Sequence, residues 1–169
     1  MKDLGEATYI LGILIYRDRA NRMIWLSQAL RLEKVLKQFG IENFKKGLLP
    51  VRRGVHLSKS ISAQGEEDRK EMSMVPYVST VGSLIYVMLC TRPDIAYVIS
   101  VVSQFQANPG KEHGIAIKCI LQCLTRTKDM LLVYENAELR VDGYVDSDFQ
   151  SNVDDRKCTS GFIFTLNGG

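Results

Sequence analysis

The chain has few of the residues that mark a metal site or a disulfide framework. Its 169 residues include only four cysteines and two histidines. Cys119 and Cys123 would share one helix face, but zinc needs two further ligands, and the only histidines are His56 and His113. No pair of short Cys-x-x-Cys knuckles occurs. We therefore predict no complete metal site and interpret the cysteines as buried free thiols in a reducing compartment.

Long apolar runs are also absent. The longest candidate covers residues 81–90, about half of the roughly 20 residues that a membrane-spanning helix needs. The first six residues, MKDLGE, carry charges that no apolar core follows, unlike a secretory signal peptide. We therefore expect an intracellular protein, cytoplasmic or nuclear, with no membrane partner.

The composition that remains is that of a globular domain. Hydrophobic residues make up 46% of the chain and charged residues 24%, which excludes a disordered chain. The net charge is only +3, but between Arg31 and Arg53 seven basic residues accompany two acidic ones. This local excess fits contact with a phosphate backbone. A solvated helix face followed by a basic loop explains it at least as well.

The N-terminal part predicts a β-hairpin over residues 8–27. Its first strand is apolar on both faces and is therefore predicted to be buried, and residues 18–22 supply the turn. Gly12 inside that strand predicts a close approach by another part of the molecule. Ser27 is the predicted N-cap of a helix that ends at Gly40. The apolar stripe of this helix consists of Leu32, Val35, Leu36 and Phe39.

The middle of the chain predicts a helical bundle. Residues 43–65 lack periodicity and predict a long, mobile basic loop, and the charged residues 66–71 are expected to be exposed. Helices are then predicted over about residues 76–89, 93–106 and 111–126, and they are too apolar to stand alone. Their stripes are Val78, Val81, Leu84, Ile85 and Met88; Ile95, Val98, Ile99, Val102 and Phe105; and Ile115, Ile117, Ile120, Leu121 and Leu124.

The C-terminal part changes back to strands, predicted over residues 130–134, 139–144 and 160–166. Asn152, Asp154 and Asp155 mark the turn before the last strand. These strands predict the start of a β-sheet domain that stops after a hairpin, which is marginally stable by itself. The predicted fold class is therefore α+β: a hairpin, a helical bundle and an incomplete sheet.

Several segments resemble the copia-type retrotransposon Pol polyprotein. The most specific is residues 77–106, YVSTVGSLIYVMLCTRPDIAYVISVVSQFQ, which resembles the thumb helices of that family. Residues 108–113, NPGKEH, continue the match, residues 1–15 resemble the segment after the polymerase active site, and residues 143–161 resemble the opening of its RNase H domain. The resemblance covers essentially the whole chain. It implies a palm-end hairpin over residues 1–26, thumb- or connection-like helices over 27–130 and a truncated RNase H-like sheet over 131–169.

The same resemblance implies residues that grip nucleic acid. In that family a Leu-Gly pair lies in the hairpin that grips the primer, and it matches Leu11 and Gly12 here. The basic first helix resembles a part that tracks the duplex, so an RNA–DNA or DNA duplex is the expected partner. Its phosphate contacts would be sequence-independent. The candidate contacts are Arg31, Lys34, Lys37 and Lys45.

Catalytic acids are mostly missing from the sequence. The resemblance places the polymerase Asp-Asp turn upstream of Met1, and in the near-match at residues 144–147 Ser147 replaces the second acid. The first RNase H acid matches Asp146, while the others would lie beyond Gly169. Two-metal chemistry needs several carboxylates, so Asp146 is interpreted as an inactive remnant. Asp148 shares its strand face. No cofactor is expected for the fragment, and Mg²⁺ is expected for the intact parent polyprotein.

The sequence also departs from the family pattern. The family usually has Trp where this chain has Gly114, an Arg-Tyr-Leu run where it has residues 122–124, and Trp where it has Phe149. Glycine within a helix costs about 1 kcal/mol relative to alanine. These changes suit a sequence that drifts without strong selection.

Three functional hypotheses remain open on the sequence alone. The chain is a fragment of a reverse transcriptase and RNase H polyprotein without activity of its own, apart from residual duplex binding. Alternatively, it is one segment of an intact polyprotein that performs RNA-directed DNA synthesis and RNA-strand degradation. A third hypothesis is a domesticated, non-catalytic nucleic-acid-binding module. Besides a duplex, the expected partners are the missing upstream palm and downstream RNase H segments of a parent polyprotein.

Overall fold

The computed structural model describes residues 5–41, 44–51, 56–135, 140–148, 154 and 159–166. The strands are β1 (Tyr9–Ile10), β2 (Ile13–Asp18), β3 (Met23–Ser27), β4 (Leu132–Glu135), β5 (Val141–Asp148) and β6 (Thr159–Leu166). The helices are α1 (Ala29–Gln38), α2 (Glu66–Ser73), α3 (Tyr77–Cys90), α4 (Ala96–Ser103) and α5 (Lys111–Thr127). Short 3₁₀ turns lie at Lys59–Ile61 and Pro93–Ile95.

The chain forms two compact units. One consists of Met1–Ser27 and Leu131–Gly169 and contains all the strands named above, and the other consists of Gln28–Met130 and contains the helices. The chain passes from one unit to the other after Ser27 and after Met130. These positions lie within one residue of the ends of the predicted segments 1–26, 27–130 and 131–169. The assignment of those segments to a palm, a thumb and an RNase H domain stays a prediction.

Leu11 and Gly12 form a tight turn between β1 and β2. Their φ angles are both positive, 50° and 86°, which is typical of a two-residue type I′ turn. The turn places Ile10 opposite Ile13 in an antiparallel pair. The prediction of one long strand across these residues is therefore wrong, because the apolar run reverses direction in its middle. The prediction of burial is also wrong, since Leu11 is 81% exposed.

The first sheet has the strand order β1-β2-β3-β4. Trp25 in β3 lies opposite Tyr16 in β2 and Val133 in β4. This row of aromatic and β-branched residues is a favourable cross-strand arrangement. The strand predicted near residue 130 therefore pairs with β3 of the N-terminal hairpin and becomes the fourth strand of this antiparallel sheet.

The second sheet is a hairpin of β5 and β6. Its register runs from Val141 opposite Leu166 to Asp148 opposite Thr159. The predicted strands are thus confirmed, although β5 extends further than expected. Asp154 lies in a turn, whereas the predicted turn residues Asn152 and Asp155 lie outside the described residues. Large apolar side chains are exposed along both strands, namely Val141, Tyr144, Val145, Phe162, Ile163 and Phe164.

Helix α1 ends in a Schellman motif. Gly40 has a φ of 64°, and its N–H donates to the carbonyl of Lys37 at 3.1 Å, while the N–H of Ile41 donates to that of Leu36 at 2.9 Å. The predicted stop at Gly40 is therefore confirmed. The predicted N-cap is wrong by one residue: Gln28 occupies that position, without a side-chain cap bond, because Ser27 still belongs to β3.

The predicted helices α3, α4 and α5 are confirmed, and they supply most of the core. Nearly all residues of the predicted stripes are buried or half-buried, with Val81, Leu84, Ile95, Val102, Ile120 and Leu124 fully enclosed. Val78 is an error, since it is 57% exposed and Tyr77, Thr80 and Val87 are buried instead. Within the described residues no single helix is long and apolar enough to cross a membrane. The bent pair of α2 and α3 meets that requirement only when the two helices are taken together.

The described residues between α1 and α3 include a helix and a buried residue that the sequence does not predict. The charged residues 66–71 are exposed as expected, but they form most of α2. Ala63 in the predicted loop is buried, and the amide of Asn108 donates to its carbonyl at 3.1 Å. The contact between Asn108 and Ala63 could not be predicted from local sequence, because the two residues are 45 positions apart. Arg52 and Arg53 lie outside the described residues.

Candidate nucleic-acid interface

Lys34 and Lys37 lie on the outer side of α1. The helix buries Leu32, Val35 and Leu36, and at 3.6 residues per turn the two lysines point away from that stripe. Both lysine side chains are exposed. Residues three apart are neighbours on a helix surface, so the two ammonium groups form one positive site.

The acid of α1 is engaged in an ion pair. Glu33 Oε1 accepts a hydrogen bond from Lys128 Nζ at 2.8 Å, just beyond the end of α5. The hydrogen bond to Glu33 and its negative charge raise the pKa of Lys128 above its usual value. Because α1 has no other acid, the pair leaves the charges of Lys34 and Lys37 uncompensated within the helix.

Arg31 has different surroundings from the two lysines. Its side chain is half-buried, and its guanidinium carbon lies 5.5 Å from the centre of the Tyr86 ring on α3. This distance is within the range of a cation–π contact. Arg31 therefore joins α1 to α3 through this contact, and only part of its side chain is exposed to solvent.

Lys45 lies in a short segment that is attached to α5. The N–H of Gly47 donates to the carbonyl of Gln122 at 3.0 Å. A Cβ at Gly47 would lie 3.1 Å from the backbone nitrogen of Cys123, so glycine allows this close approach. Lys45 itself is exposed, and the attachment gives it a fixed place beside α5.

Lys118 is a further exposed basic residue of the helical unit, and it was not among the predicted contacts. Its Nζ lies 4.3 Å from the centre of the Phe44 ring. The signal was present, because Lys118 is a cation on the side of α5 opposite the buried residues Ala116 and Ile120. Its pairing with Phe44, 74 positions earlier, has no signature in the sequence.

The Thr-Arg-Pro-Asp run of the most specific motif is a structural joint. Arg92 is 4% exposed, and its Nε and Nη2 donate to Asp94 at 2.9 and 2.7 Å. The same guanidinium reaches the last residue of α5, Thr127. Thr91 donates to the buried side chain of Gln28 at 2.6 Å. These bonds connect the ends of three helices, so the motif stabilises the bundle rather than supplying chemistry.

The Asn-Pro-Gly-Lys-Glu-His run is a second joint. The N–H of Gly110 donates to Nδ1 of the fully buried His113 at 2.9 Å, and the imidazole stacks on Phe105 with ring centres 4.1 Å apart. A Cβ at Gly110 would lie 1.9 Å from the carbonyl oxygen of Ile61. The run therefore packs the N-terminus of α5 closely against the 3₁₀ turn at Lys59–Ile61.

Two of the predicted thiols are buried. Cys119 and Cys123 of α5 are free and buried, and Cys90 is free and half-buried. Burial raises the pKa of the Cys123 thiol, which keeps it protonated and unreactive at neutral pH. Cys158 lies outside the described residues.

Asp146 lies on β5 opposite Gly161, with its side chain exposed. Among the described residues, no three His, Cys, Asp or Glu side chains come together in a way that could hold a metal ion. Asp148 also lies on β5. The described residues therefore do not fit the paired Mg²⁺ ions that the family's chemistry requires.

Leu11 and Gly12, the predicted primer-grip pair, belong to the strand unit, whereas Arg31, Lys34, Lys37 and Lys45 belong to the helical unit. The structure presents Leu11 at the tip of a hairpin, with 81% of its surface exposed.

Comparison with known proteins identifies the family. The chain is similar to the retrovirus-related Pol polyprotein from transposon TNT 1-94 of Nicotiana tabacum, with 44% identity over 169 residues, 100% of this chain and 13% of that protein. It is 30% identical over 167 residues, 98% of this chain and 11% of the relative, to the retrovirus-related Pol polyprotein from transposon RE1 of Arabidopsis thaliana. Over 99 residues, 58% of this chain, it is 41% identical to secreted RxLR effector protein 161 of Plasmopara viticola, covering 70% of that protein.

The chain spans only about an eighth of the length of the transposon polyproteins that it matches. No protein-family model matches the chain, and no solved structure matches its fold. The two Pol polyproteins nevertheless align with nearly every residue of it. The chain therefore belongs to the retrotransposon Pol polyprotein family, and it corresponds to a segment of these two relatives.

Proposed function

We propose that this chain is a non-catalytic, thumb-like segment of a copia-type reverse transcriptase and RNase H polyprotein that holds an RNA–DNA duplex by its phosphates. The observation that carries the proposal is the outer face of α1. There Lys34 and Lys37 are exposed side by side, while Glu33 is engaged by Lys128. Membership of the Pol family supports nucleic acid as the partner.

The proposed mechanism is electrostatic. Each lysine ammonium donates hydrogen bonds to phosphate oxygens and releases condensed counterions from the duplex. Lys45 extends the contact beyond the end of α1, and the exposed part of Arg31 adds to it at the flank. Such contacts fix the position of a duplex without reading its sequence. No described side chain is assigned a chemical step.

A salt titration tests this proposal. Binding of the full chain to a blunt, fluorescently labelled RNA–DNA duplex is measured by anisotropy at several salt concentrations. The double substitution Lys34→Gln and Lys37→Gln should weaken binding about tenfold at low salt and reduce the salt slope by about 1.8, since each phosphate contact contributes about 0.9.

The matched control removes two positive charges elsewhere. Arg69 and Lys70 on α2 are also exposed, and Arg69→Gln with Lys70→Gln changes the net charge by the same amount. This variant should bind the duplex as the unsubstituted chain does. Equal weakening by both double variants, or no duplex binding at low salt, would overturn the proposal.

A second candidate is that the chain acts as one segment of a longer polyprotein that performs RNA-directed DNA synthesis and RNA-strand degradation. The favouring observation is that the whole chain aligns within a Pol polyprotein of which it covers 13%. Mg²⁺ would supply the metal-ion chemistry in such a parent, on carboxylates outside the described residues. The test is the genomic sequence on either side. Open frames with an Asp-Asp turn upstream and a catalytic Glu downstream support this candidate, and stop codons refute it.

A further inference from the structure

Phe44 is an exposed aromatic ring surrounded by lysines. Its side chain is 43% exposed, Lys118 Nζ lies 4.3 Å from its ring centre, and Lys45 and Lys46 follow it in the chain with exposed side chains. We infer that Phe44 stacks on unpaired bases of a nucleic-acid strand whose phosphates these three lysines bind. The inference rests on the proposed function in taking nucleic acid as the partner, and it assigns a further site for single strands that shares Lys45 with the duplex contacts.

Two backbone hydrogen bonds hold Phe44 and the residues that follow it. Its own N–H donates to the carbonyl of Ile41 at 3.0 Å, and Ile41 is part of the buried core. Three residues later the N–H of Gly47 donates to the carbonyl of Gln122 on α5 at 3.0 Å. These hydrogen bonds hold the segment that carries the ring, which lowers the conformational entropy lost when a ligand binds.

Among the described residues, the charged groups identified next to the ring are lysines, while Glu42, two positions before Phe44 in the chain, lies outside the described residues. Lys118 has Gly114, Ile115, Leu121 and Gln122 as its neighbours one turn away on α5, and none of them is acidic. Lys45 and Lys46 add two further positive charges next to the ring in sequence. An apolar protein partner would have to bury these ammonium groups, whereas a nucleotide brings a flat base for the ring and a phosphate for the lysines.

The exposed ring favours single strands over duplexes. In a duplex the faces of the bases are already stacked on one another, so only an unpaired or terminal base offers a free face. Stacking of this kind tolerates any sequence, because every base has a π-face, and the accompanying lysine contacts are salt-sensitive. RNA and DNA strands share this chemistry, and both serve as probes below.

The test uses the full chain and labelled homopolymers, oligouridylate and oligothymidylate, of about 12 nucleotides. Phe44→Leu keeps an apolar side chain but removes the π-face, and it should weaken binding about tenfold, while Phe44→Trp should preserve binding. The matched control is Leu48→Ala, because Leu48 is 74% exposed in the same segment. This control should bind as the unsubstituted chain does.

An abasic strand of the same length separates stacking from charge. On that strand Phe44→Leu should have no effect, whereas Lys118→Gln should still reduce the salt slope by about 0.7, the contribution of one contact to a single strand. Two results would overturn the inference. One is that Phe44→Leu binds the homopolymers as tightly as the unsubstituted chain does. The other is that Phe44→Leu weakens binding to the abasic strand as much as it weakens binding to the homopolymers.

The two proposals fail separately. A chain that binds the blunt duplex through Lys34 and Lys37 but shows no Phe44-dependent binding of single strands refutes only the stacking site. A chain that binds the homopolymers through Phe44 but not the blunt duplex refutes only the duplex-holding function. Phe44→Leu should have little effect on blunt-duplex affinity, because only the two terminal base pairs expose a face, and a tenfold loss there contradicts a site that prefers unpaired bases.

Discussion

Arg92 holds the C-terminal end of α5 through Thr127, to whose carbonyl oxygen and hydroxyl its guanidinium donates at 3.2 and 2.7 Å. The two residues are 35 positions apart. A cation at this place is favourable because the last carbonyl groups of a helix carry partial negative charge. With Asp94 accepting from the same side chain, a nearly fully buried arginine satisfies its donors and joins two segments of the bundle.

The geometry of this joint predicts that lysine cannot replace Arg92. A lysine has no planar fork and reaches Asp94 or Thr127 but not both. Arg92→Lys should therefore lower the free energy of unfolding by about 2–3 kcal/mol, since it leaves buried polar groups without partners. Urea denaturation of the full chain at neutral pH measures the effect.

Asp94→Asn provides the control for the arginine substitution. The Asp94 side chain is 54% exposed, so its loss of charge is partly compensated by water and should cost less than Arg92→Lys. A larger loss for Asp94→Asn than for Arg92→Lys would show that the exposed ion pair, rather than the bonds to Thr127, dominates the joint.

Gly110 is predicted to be intolerant of any side chain. A Cβ there would lie 1.9 Å from the carbonyl oxygen of Ile61, so Gly110→Ala must move either the 3₁₀ turn or the start of α5. We expect a loss of about 1–3 kcal/mol in the free energy of unfolding, the usual cost of overpacking a closely packed site.

Gly114, one turn further along α5, is the matched site for the same substitution. A Cβ there would meet the terminal methyl group of Met72 at 3.5 Å, which is ordinary contact. Because glycine within a helix is less favourable than alanine, Gly114→Ala should stabilise the chain by about 0.5–1 kcal/mol. Thermal unfolding of both variants checks the opposite signs, and destabilisation by both would contradict the contrast.

Helices α1, α3, α4 and α5 could be predicted from the sequence because their information is local, whereas α2 could not, since its charged residues carry no apolar stripe. Ile95, Val98, Ile99 and Val102 recur at the spacing of one helix face, and all four are buried. Gly40 is likewise predictable as a helix end, since a positive φ is much easier for glycine than for other residues. Boundaries and inward faces followed from these patterns with few errors.

The strand turn and the long-range contacts could not be predicted in this way. Leu11 and Gly12 lie within an alternating apolar run, which looks the same whether the chain continues or reverses. The ring contact of Phe44 with Lys118 and the bonds of Arg92 to Thr127 depend on how helices pack. A basic cluster could therefore be predicted on α1, but not its extension onto α5.

We expect the buried hydroxyl of Tyr77 to lower the free energy of unfolding of the chain at alkaline pH. Its hydroxyl donates to the carbonyl of Val102 at 2.8 Å, and burial raises the pKa of this phenol well above its ordinary value. The folded chain therefore holds the proton more tightly than the unfolded chain. Stability from this group is complete below about pH 10 and falls by up to about 1.4 kcal/mol per pH unit above it.

Tyr77→Phe should remove this part of the alkaline slope. At neutral pH the variant should be about 0.5–1 kcal/mol less stable, because the hydrogen bond is lost but Val102 still accepts from the N–H of Phe105. Urea unfolding between about pH 8 and pH 11 measures both effects. An unchanged alkaline slope in Tyr77→Phe would show that other groups cause the loss.

Asp146 is predicted not to bind Mg²⁺ in this chain. Its exposed carboxylate on β5 has no partners for a metal site among the described residues, and Mg²⁺ keeps its water shell unless several oxygen ligands replace it. The melting temperature of the full chain should therefore be the same in EDTA and in about 10 mM Mg²⁺. Asp146→Asn should give the same result, and so should the control Asp142→Asn on the same strand. A rise in melting temperature with Mg²⁺ that Asp146→Asn alone abolishes would show that residues outside the described part complete a metal site with Asp146.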